Sequence, residues 1–126
     1  MKLIFAIAIG GALGAVGRYV VSVLMLQWIS SNIPLGTLVV NVVGSFVLGL
    51  VYECGTLVWQ SSNEFKAFLI VGILGGFTTF STFSLEIVVL FQKGEIGAGV
   101  LYAVGSLVLA VLGLTMGIIF GRSIFA

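Results

Sequence analysis

Histidine and aspartate are absent from this chain, proline and cysteine occur once each, and five basic and four acidic residues carry all the formal charge of 126 residues. Without histidine, aspartate or a pair of neighbouring carboxylates, the serines and Cys54 lack a general base, which excludes the usual hydrolytic and transfer enzymes. A lone Cys54 cannot close an internal disulfide and reads as a small apolar filler. The scarcity of charge is the strongest exclusion. With 60% hydrophobic residues and a mean hydropathy of +1.33, a chain this short has no soluble fold able to hide its apolar surface. No nucleotide motif or metal-ligand cluster is seen.

What fills the chain instead is uncharged sequence: Leu3 to Gly17, Tyr19 to Tyr52, Ala67 to Leu85 and Ile96 to Gly121. A spanning helix needs roughly 20 mostly apolar residues. The second stretch is too long for one span and is divided at Ser30-Ser31-Asn32-Ile33-Pro34, where the single proline stops a helix. The expected architecture is an all-α membrane protein: one four-helix transmembrane domain over residues 1–126, with helices near 3–26, 35–58, 66–92 and 96–121. Short polar connections join them, and nothing remains for a soluble domain. Trp28 and Trp59 close the first two spans at headgroup level. Lys2 followed by an apolar run has the outline of a signal peptide, but that run continues past Arg18 to Trp28 without a polar cleavage region, so it reads as a retained first span.

Four spans place both termini on one side, together with Lys2, Lys66 and Arg122, against Lys93 and Arg18 opposite. So weak a bias permits insertion both ways round and hence an antiparallel dimer, while a single orientation stays equally open. Four helices leave little room for a pore within one subunit, so a conduction path is expected between subunits. Small residues point to close helix packing in lipid: Gly10, Gly14 and Gly17 in the first helix, Gly44, Ser45 and Gly49 in the second, and Gly113, Gly117 and Gly121 in the fourth.

Residues 72–84, Gly-Ile-Leu-Gly-Gly-Phe-Thr-Thr-Phe-Ser-Thr-Phe-Ser, stand apart. Three glycines followed by Thr78 and Thr79 make the middle of the third helix the easiest place to unwind, and their coincidence with the serines favours a break over a continuous glycine-faced helix. Unwound backbone at membrane depth is tolerated where protein or a water-filled cavity covers it, and its carbonyls suit a small cation. Phe80 and Phe83, three apart, share a face; Thr79, Thr82 and Glu86 lie on a neighbouring one, with Ser81 and Ser84 between. A phenylalanine in a membrane helix is ordinarily a lipid or core contact. Two ring edges beside hydroxyls can also replace part of the hydration of a compact anion without the full positive charge that would trap it. Asn41 and Ser106 could add donors, since a buried asparagine needs a partner. Arg18 and Glu86, the ionisable groups inside spans, have two open readings. Each snorkels to an interface, or Arg18 supplies positive potential at a vestibule mouth and Glu86 pairs with it or with a donor of the third helix. Glu53, Glu64, Lys66, Lys93 and Glu95 read as solvated flanks.

Three segments carry a resemblance: Gly10-Gly-Ala-Leu-Gly-Ala-Val-Gly-Arg-Tyr19, Gly36-Thr-Leu-Val-Val-Asn-Val-Val-Gly44 and Gly75-Gly-Phe-Thr-Thr-Phe-Ser-Thr-Phe-Ser84. They resemble, in order, the signature segments of the Fluc (CrcB) family of bacterial fluoride channels, and Gly105-Ser106-Leu107 extends the likeness into the fourth helix. The resemblance implies an antiparallel, dual-topology homodimer in the bacterial inner membrane. Two fluoride pores would lie at the subunit interface, and the third helix would be broken at mid-membrane. It implies that Phe80 and Phe83 are pore phenylalanines and Asn41 the pore asparagine. Ser81 and Thr82 would form a polar track, Ser106 would sit near the anion vestibule, and Arg18 would belong to the vestibule too. Carbonyls of Gly75 and Thr78 would hold a central structural sodium ion. Ala110 stands where similar chains often place a threonine, one turn after the serine. A small dual-topology multidrug exporter is disfavoured because the first acidic residue is Glu53, far from the first helix. A subunit whose glycine stripes serve packing alone is the remaining rival.

Overall fold

The structure is a computed structural model and describes residues 1–58 and 60–126; the expected interfacial role of Trp59 falls outside the described residues. It is all-helical, with four helices long and apolar enough to cross a membrane. The first is α1 (Lys2–Trp28) and the second α2 (Leu35–Leu57). A third span, Asn63–Gln92, is built from α3 (Asn63–Lys66), a π-helical segment (Ala67–Leu74), α4 (Gly75–Phe77) and α5 (Ser81–Gln92). The last is α6 (Ile96–Phe125).

Local chemistry explains the ends. The α1–α2 connection is stiffened where the Ile33 amide donates to Ser31 Oγ at 3.1 Å, and Pro34 precedes the first turn of α2, a position where the missing N–H costs nothing. Ser62 caps α3 by accepting from the Phe65 amide at 3.2 Å. Gly94 takes φ 79°, the single left-handed residue among those described, and turns the chain from α5 into α6.

Packing proceeds in two pairs. The π-helical segment lies along α1, and α2 lies along α6. In both pairs the backbones approach too closely for side chains. A Cβ at Gly14 would strike the Ile73 carbonyl oxygen and one at Gly10 the Phe68 carbonyl, while Gly49 and Gly117 face the Leu114 and Phe46 carbonyls in the same way. In lipid, where apolar helices gain nothing by leaving the solvent, such close approach is a main source of helix association. Gly17 has room for a Cβ, its neighbour being the Phe77 ring at 3.5 Å.

The third span loses helical geometry at residues 78–80, where Thr78 is extended at φ −84°, ψ 159°. The two halves are nevertheless bent only slightly, so the irregularity is local rather than a pair of diverging half-helices.

One expectation is overturned. Glu53, read from sequence as a solvated flank, is buried with 4% exposure, and Arg122 Nε donates to its Oε1 at 2.8 Å. The cause lies on α6, which runs on through Phe125 and covers Glu53 with Gly121, whose missing side chain would meet the Glu53 Cβ at 3.1 Å. A buried carboxylate stripped of its partner is far costlier than one replaced together with it. Arg122→Ala is therefore expected to lower the thermal midpoint in detergent, and adding Glu53→Gln to recover most of the loss.

Candidate functional site

A groove of about 650 Å³ is lined by α2, the third span and α6. α2 contributes Asn41, Gly44 and Ser45; the third span contributes Gly75, Thr78, Thr79, Phe80 and Phe83; α6 contributes Ser106, Leu107 and Ala110. Asn41, Phe80, Phe83, Ser106, Gly75 and Thr78, singled out from sequence on separate grounds, thus line one cavity. Arg18, Ser81 and Thr82 are not among its lining residues.

The rings form a continuous series. Phe80 and Phe83 meet edge to face with centroids 5.7 Å apart at 80°, and Phe83 meets Tyr102 of α6 at 5.2 Å and 84°. Such T-shaped contacts fix ring orientation and turn positive edges toward neighbouring electron density. Phe80 is 80% exposed and Leu107 65%, so the lip of the groove is apolar and uncovered in the single chain. Deeper, Ser106 is 5% exposed and its hydroxyl finds no partner among the described residues. A buried hydroxyl left unpaired carries a desolvation penalty of roughly 1–3 kcal/mol.

Asn41 does not present its amide freely. Its Nδ2 donates to the Thr79 carbonyl at 2.9 Å, and its Oδ1 accepts from the Thr79 amide at 2.8 Å. Thr78 Oγ1 donates back to the Leu74 carbonyl at 2.9 Å, and Thr79 Oγ1 accepts from the Thr82 amide at 3.2 Å. The Asn41 amide, the Thr79 backbone and both threonine hydroxyls are therefore engaged within the turn and its neighbour α2.

Arg18 and Glu86 do not meet. Arg18 Nε donates to the Gly76 carbonyl at 3.1 Å. Glu86 Oε1 accepts from Thr37 Oγ1 at 2.6 Å and from Tyr102 OH at 3.4 Å, donors on α2 and α6 rather than on the third span. Glu86 and Thr37 also line a second cavity of about 360 Å³, together with Thr82 and the connection residues Ser31, Asn32 and Pro34. Thr82 faces this second cavity, while Ser81 is exposed and lies 3.4 Å from Thr79 Oγ1. Thr37 and Tyr102 escape a reading of the sequence. A signal for them existed: a carboxylate inside a span demands donors, and Tyr102 lies four residues before Ser106, on the same face of α6.

Four apolar helices long enough to span a bilayer, three of them lining a partly polar groove, define a small multi-pass membrane protein. A protein-family profile described as "CrcB-like protein, Camphor Resistance (CrcB)" matches residues 5–118. The chain is 47% identical over 126 residues, the full length of both, to a "Fluoride-specific ion channel FluC" of Rhodospirillum centenum. It is 44% identical over 119 residues, 94% of this chain and 95% of the relative, to the protein of that name from Agrobacterium fabrum. To the one from Shewanella halifaxensis it is 50% identical over 104 residues, 82% and 83% of the two chains. The chain belongs to the CrcB-like family.

Proposed function

We propose that this protein is a passive fluoride channel, working as an antiparallel homodimer in a bacterial cytoplasmic membrane and exporting fluoride to confer resistance. The observation that carries the reading is the groove itself. The paired phenyl rings of the third span and a Ser106 hydroxyl of α6 without a partner among the described residues line the same groove, in a chain whose relatives bear the name fluoride-specific ion channel. Fluoride is compact and strongly hydrated. Weak, distributed donors replace its water without binding it too tightly to leave.

A second copy, inverted, covers the exposed Phe80 and Leu107 lip and closes the groove into a pore. Two such pores follow from twofold symmetry, as a surface patch meeting its own copy always occurs twice. The interruption at residues 78–80 serves as the waist of the third span, where its irregular backbone lines a cavity rather than lipid. Gly75 and Thr78 line the groove beside it, and the extended ψ of Thr78 turns its carbonyl out of the helical ladder. Neutral carbonyl oxygens suit a hard cation, so these two residues, repeated in the partner, would hold a structural sodium ion. That ion would supply fixed positive charge at the centre of the assembly.

Export needs no energy coupling. Fluoride enters acid surroundings as HF, crosses lipid and dissociates in the more alkaline cytoplasm, and an inside-negative potential drives the trapped anion outward. A bacterium made fluoride-sensitive should regain growth in fluoride medium when it expresses this chain and fail to do so with Phe80→Ile. Equal sensitivity with and without the expressed, membrane-inserted chain would refute the reading.

Ser106 allows a separation of stability from transport. Because its hydroxyl has no partner among the described residues, Ser106→Ala is expected to leave the thermal midpoint unchanged or slightly raised. Fluoride flux should fall about fivefold, the equivalent of roughly 1 kcal/mol of lost hydrogen bonding, measured by fluoride electrode on reconstituted vesicles.

A further inference from the structure

We propose that Arg18 and Asn41 are positioning residues that splint the interruption of the third span from two neighbouring helices, with Arg18 acting through one neutral-type N–H donor rather than through its charge. The proposal rests on the reading of residues 78–80 as the waist of a pore, and it goes beyond that reading in assigning what keeps the waist open.

An interrupted helix leaves carbonyls before the gap and amides after it without their usual partners, and at membrane depth no water compensates. Side chains around this gap meet that demand at four backbone groups: the Gly76 and Thr79 carbonyls and the Thr79 and Thr82 amides. Gly76 lies in α4, the short helical turn just before the gap, and its carbonyl accepts from Arg18 Nε of α1 at 3.1 Å. Thr79 sits in the middle of the gap. Both its amide and its carbonyl are taken by Asn41 of α2, at 2.8 and 2.9 Å, so one asparagine side chain stands in for a peptide group of the missing ladder. After the gap, the Thr82 amide is taken by Thr79 Oγ1. Two neighbouring helices thus hold the gap, α1 just before it and α2 at its centre.

The identity of the atoms matters. Arg18 has no carboxylate partner: the ion pair among the described residues joins Arg122 to Glu53, and Glu86 is engaged by Thr37 and Tyr102. A guanidinium placed within a span and bonded to a backbone carbonyl is a cap. The donor is Nε, the fourth side-chain atom from Cα, and glutamine carries its Nε2 donor at that same place. Arg18→Gln therefore removes the charge and keeps the cap, whereas Arg18→Met keeps the length and removes both. The splints also leave a pattern in the backbone. They occupy the carbonyls of Gly76 and Thr79, not those of Gly75 and Thr78, the pair proposed above for sodium.

Two measurements on the full-length purified protein test this together: amide hydrogen exchange across residues 74–84, and fluoride efflux after reconstitution. The splint predicts that Arg18→Gln keeps wild-type exchange and efflux within about threefold, while Arg18→Met exchanges at least about tenfold faster in this segment and loses efflux. If Arg18 instead supplied potential to the anion, Arg18→Gln would lose efflux as fully as Arg18→Met with exchange unchanged in both, and that result would overturn the proposal. Should Arg18→Met not yield folded protein, Asn41→Asp and Asn41→Leu decide. Aspartate keeps an acceptor for the Thr79 amide and leucine keeps none, so exchange must rise further in Asn41→Leu, and equal exchange in the two would also overturn it. Exchange reads the splint whatever ion is carried. Absence of fluoride efflux from the wild type would therefore count against the channel reading, and unchanged exchange against the splint.

Discussion

Replacing Phe80 or Phe83 by isoleucine is expected to abolish most fluoride flux while leaving the assembly intact. Isoleucine keeps apolar bulk but has no quadrupole, so the positive ring edge disappears from the groove wall. Taking each lost edge contact at the roughly 0.5–1.5 kcal/mol of an aromatic edge-to-face pair, two lost at one pore predict a fall of about 5- to 150-fold. The two positions should differ in their side effects. Phe80 is 80% exposed and touches Phe83, so Phe80→Ile should be nearly silent in the thermal midpoint. Phe83 packs on both Phe80 and Tyr102, and Tyr102 also donates to Glu86, so Phe83→Ile should cost stability as well as flux. Unimpaired flux in both variants, with the dimer preserved, would leave the groove as packing surface alone.

The second large effect concerns assembly of the fold. Gly14→Ala is expected to destabilise by about 3 kcal/mol, at the upper end of what overpacking costs. The added methyl would meet backbone, the Ile73 carbonyl and the Phe77 amide at 2.8 Å, rather than a movable side chain. Gly11, three residues away on the same helix, has nothing within 4 Å of its position for a Cβ. Gly11→Ala should therefore be neutral, or slightly stabilising because alanine is the better helix former. Thermal unfolding of both variants in one detergent checks the contrast, and equal loss in the two would mean that the close contact of α1 with the π-helical segment does not hold the fold together.

Much of the architecture is legible in the sequence because hydropathy reports length directly: four apolar helices follow from where charge and the single proline interrupt long uncharged runs. The glycine stripes report close contact too, though not the partner. Nothing in Ala67–Leu74 announces the π-helical turns that lie along α1. The site was partly legible for a related reason. A spacing of three places Phe80 and Phe83 on one face, and their rings do meet. Ser81 and Thr82 look like neighbours of these rings in sequence, but successive helix residues point about 100° apart, which sends Thr82 to the second cavity and Ser81 outward.

Cross-helix pairing is the part periodicity cannot reach. Thr37, Glu86 and Tyr102 come from three separate helices; Glu86 announces the need for a partner, but Thr37 and Tyr102 alone look like ordinary span residues. Glu53 reads as a flank because it follows Tyr52 near the end of α2; only the course of α6 over it reveals the Arg122 contact. Asn41 shows the same limit from the other side. Its polarity in a span signals a partner, yet both atoms of its amide turn out to serve the Thr79 backbone rather than to stand free in the groove.

The most direct test of the channel reading is release of fluoride from vesicles reconstituted with the purified chain. The vesicles are loaded with potassium fluoride, charge is balanced by valinomycin, and a chloride-loaded set runs in parallel. Rapid fluoride release that requires valinomycin, without matching chloride release, is the predicted result. A folded, dimeric protein that releases no fluoride, or that releases chloride equally fast, would contradict it.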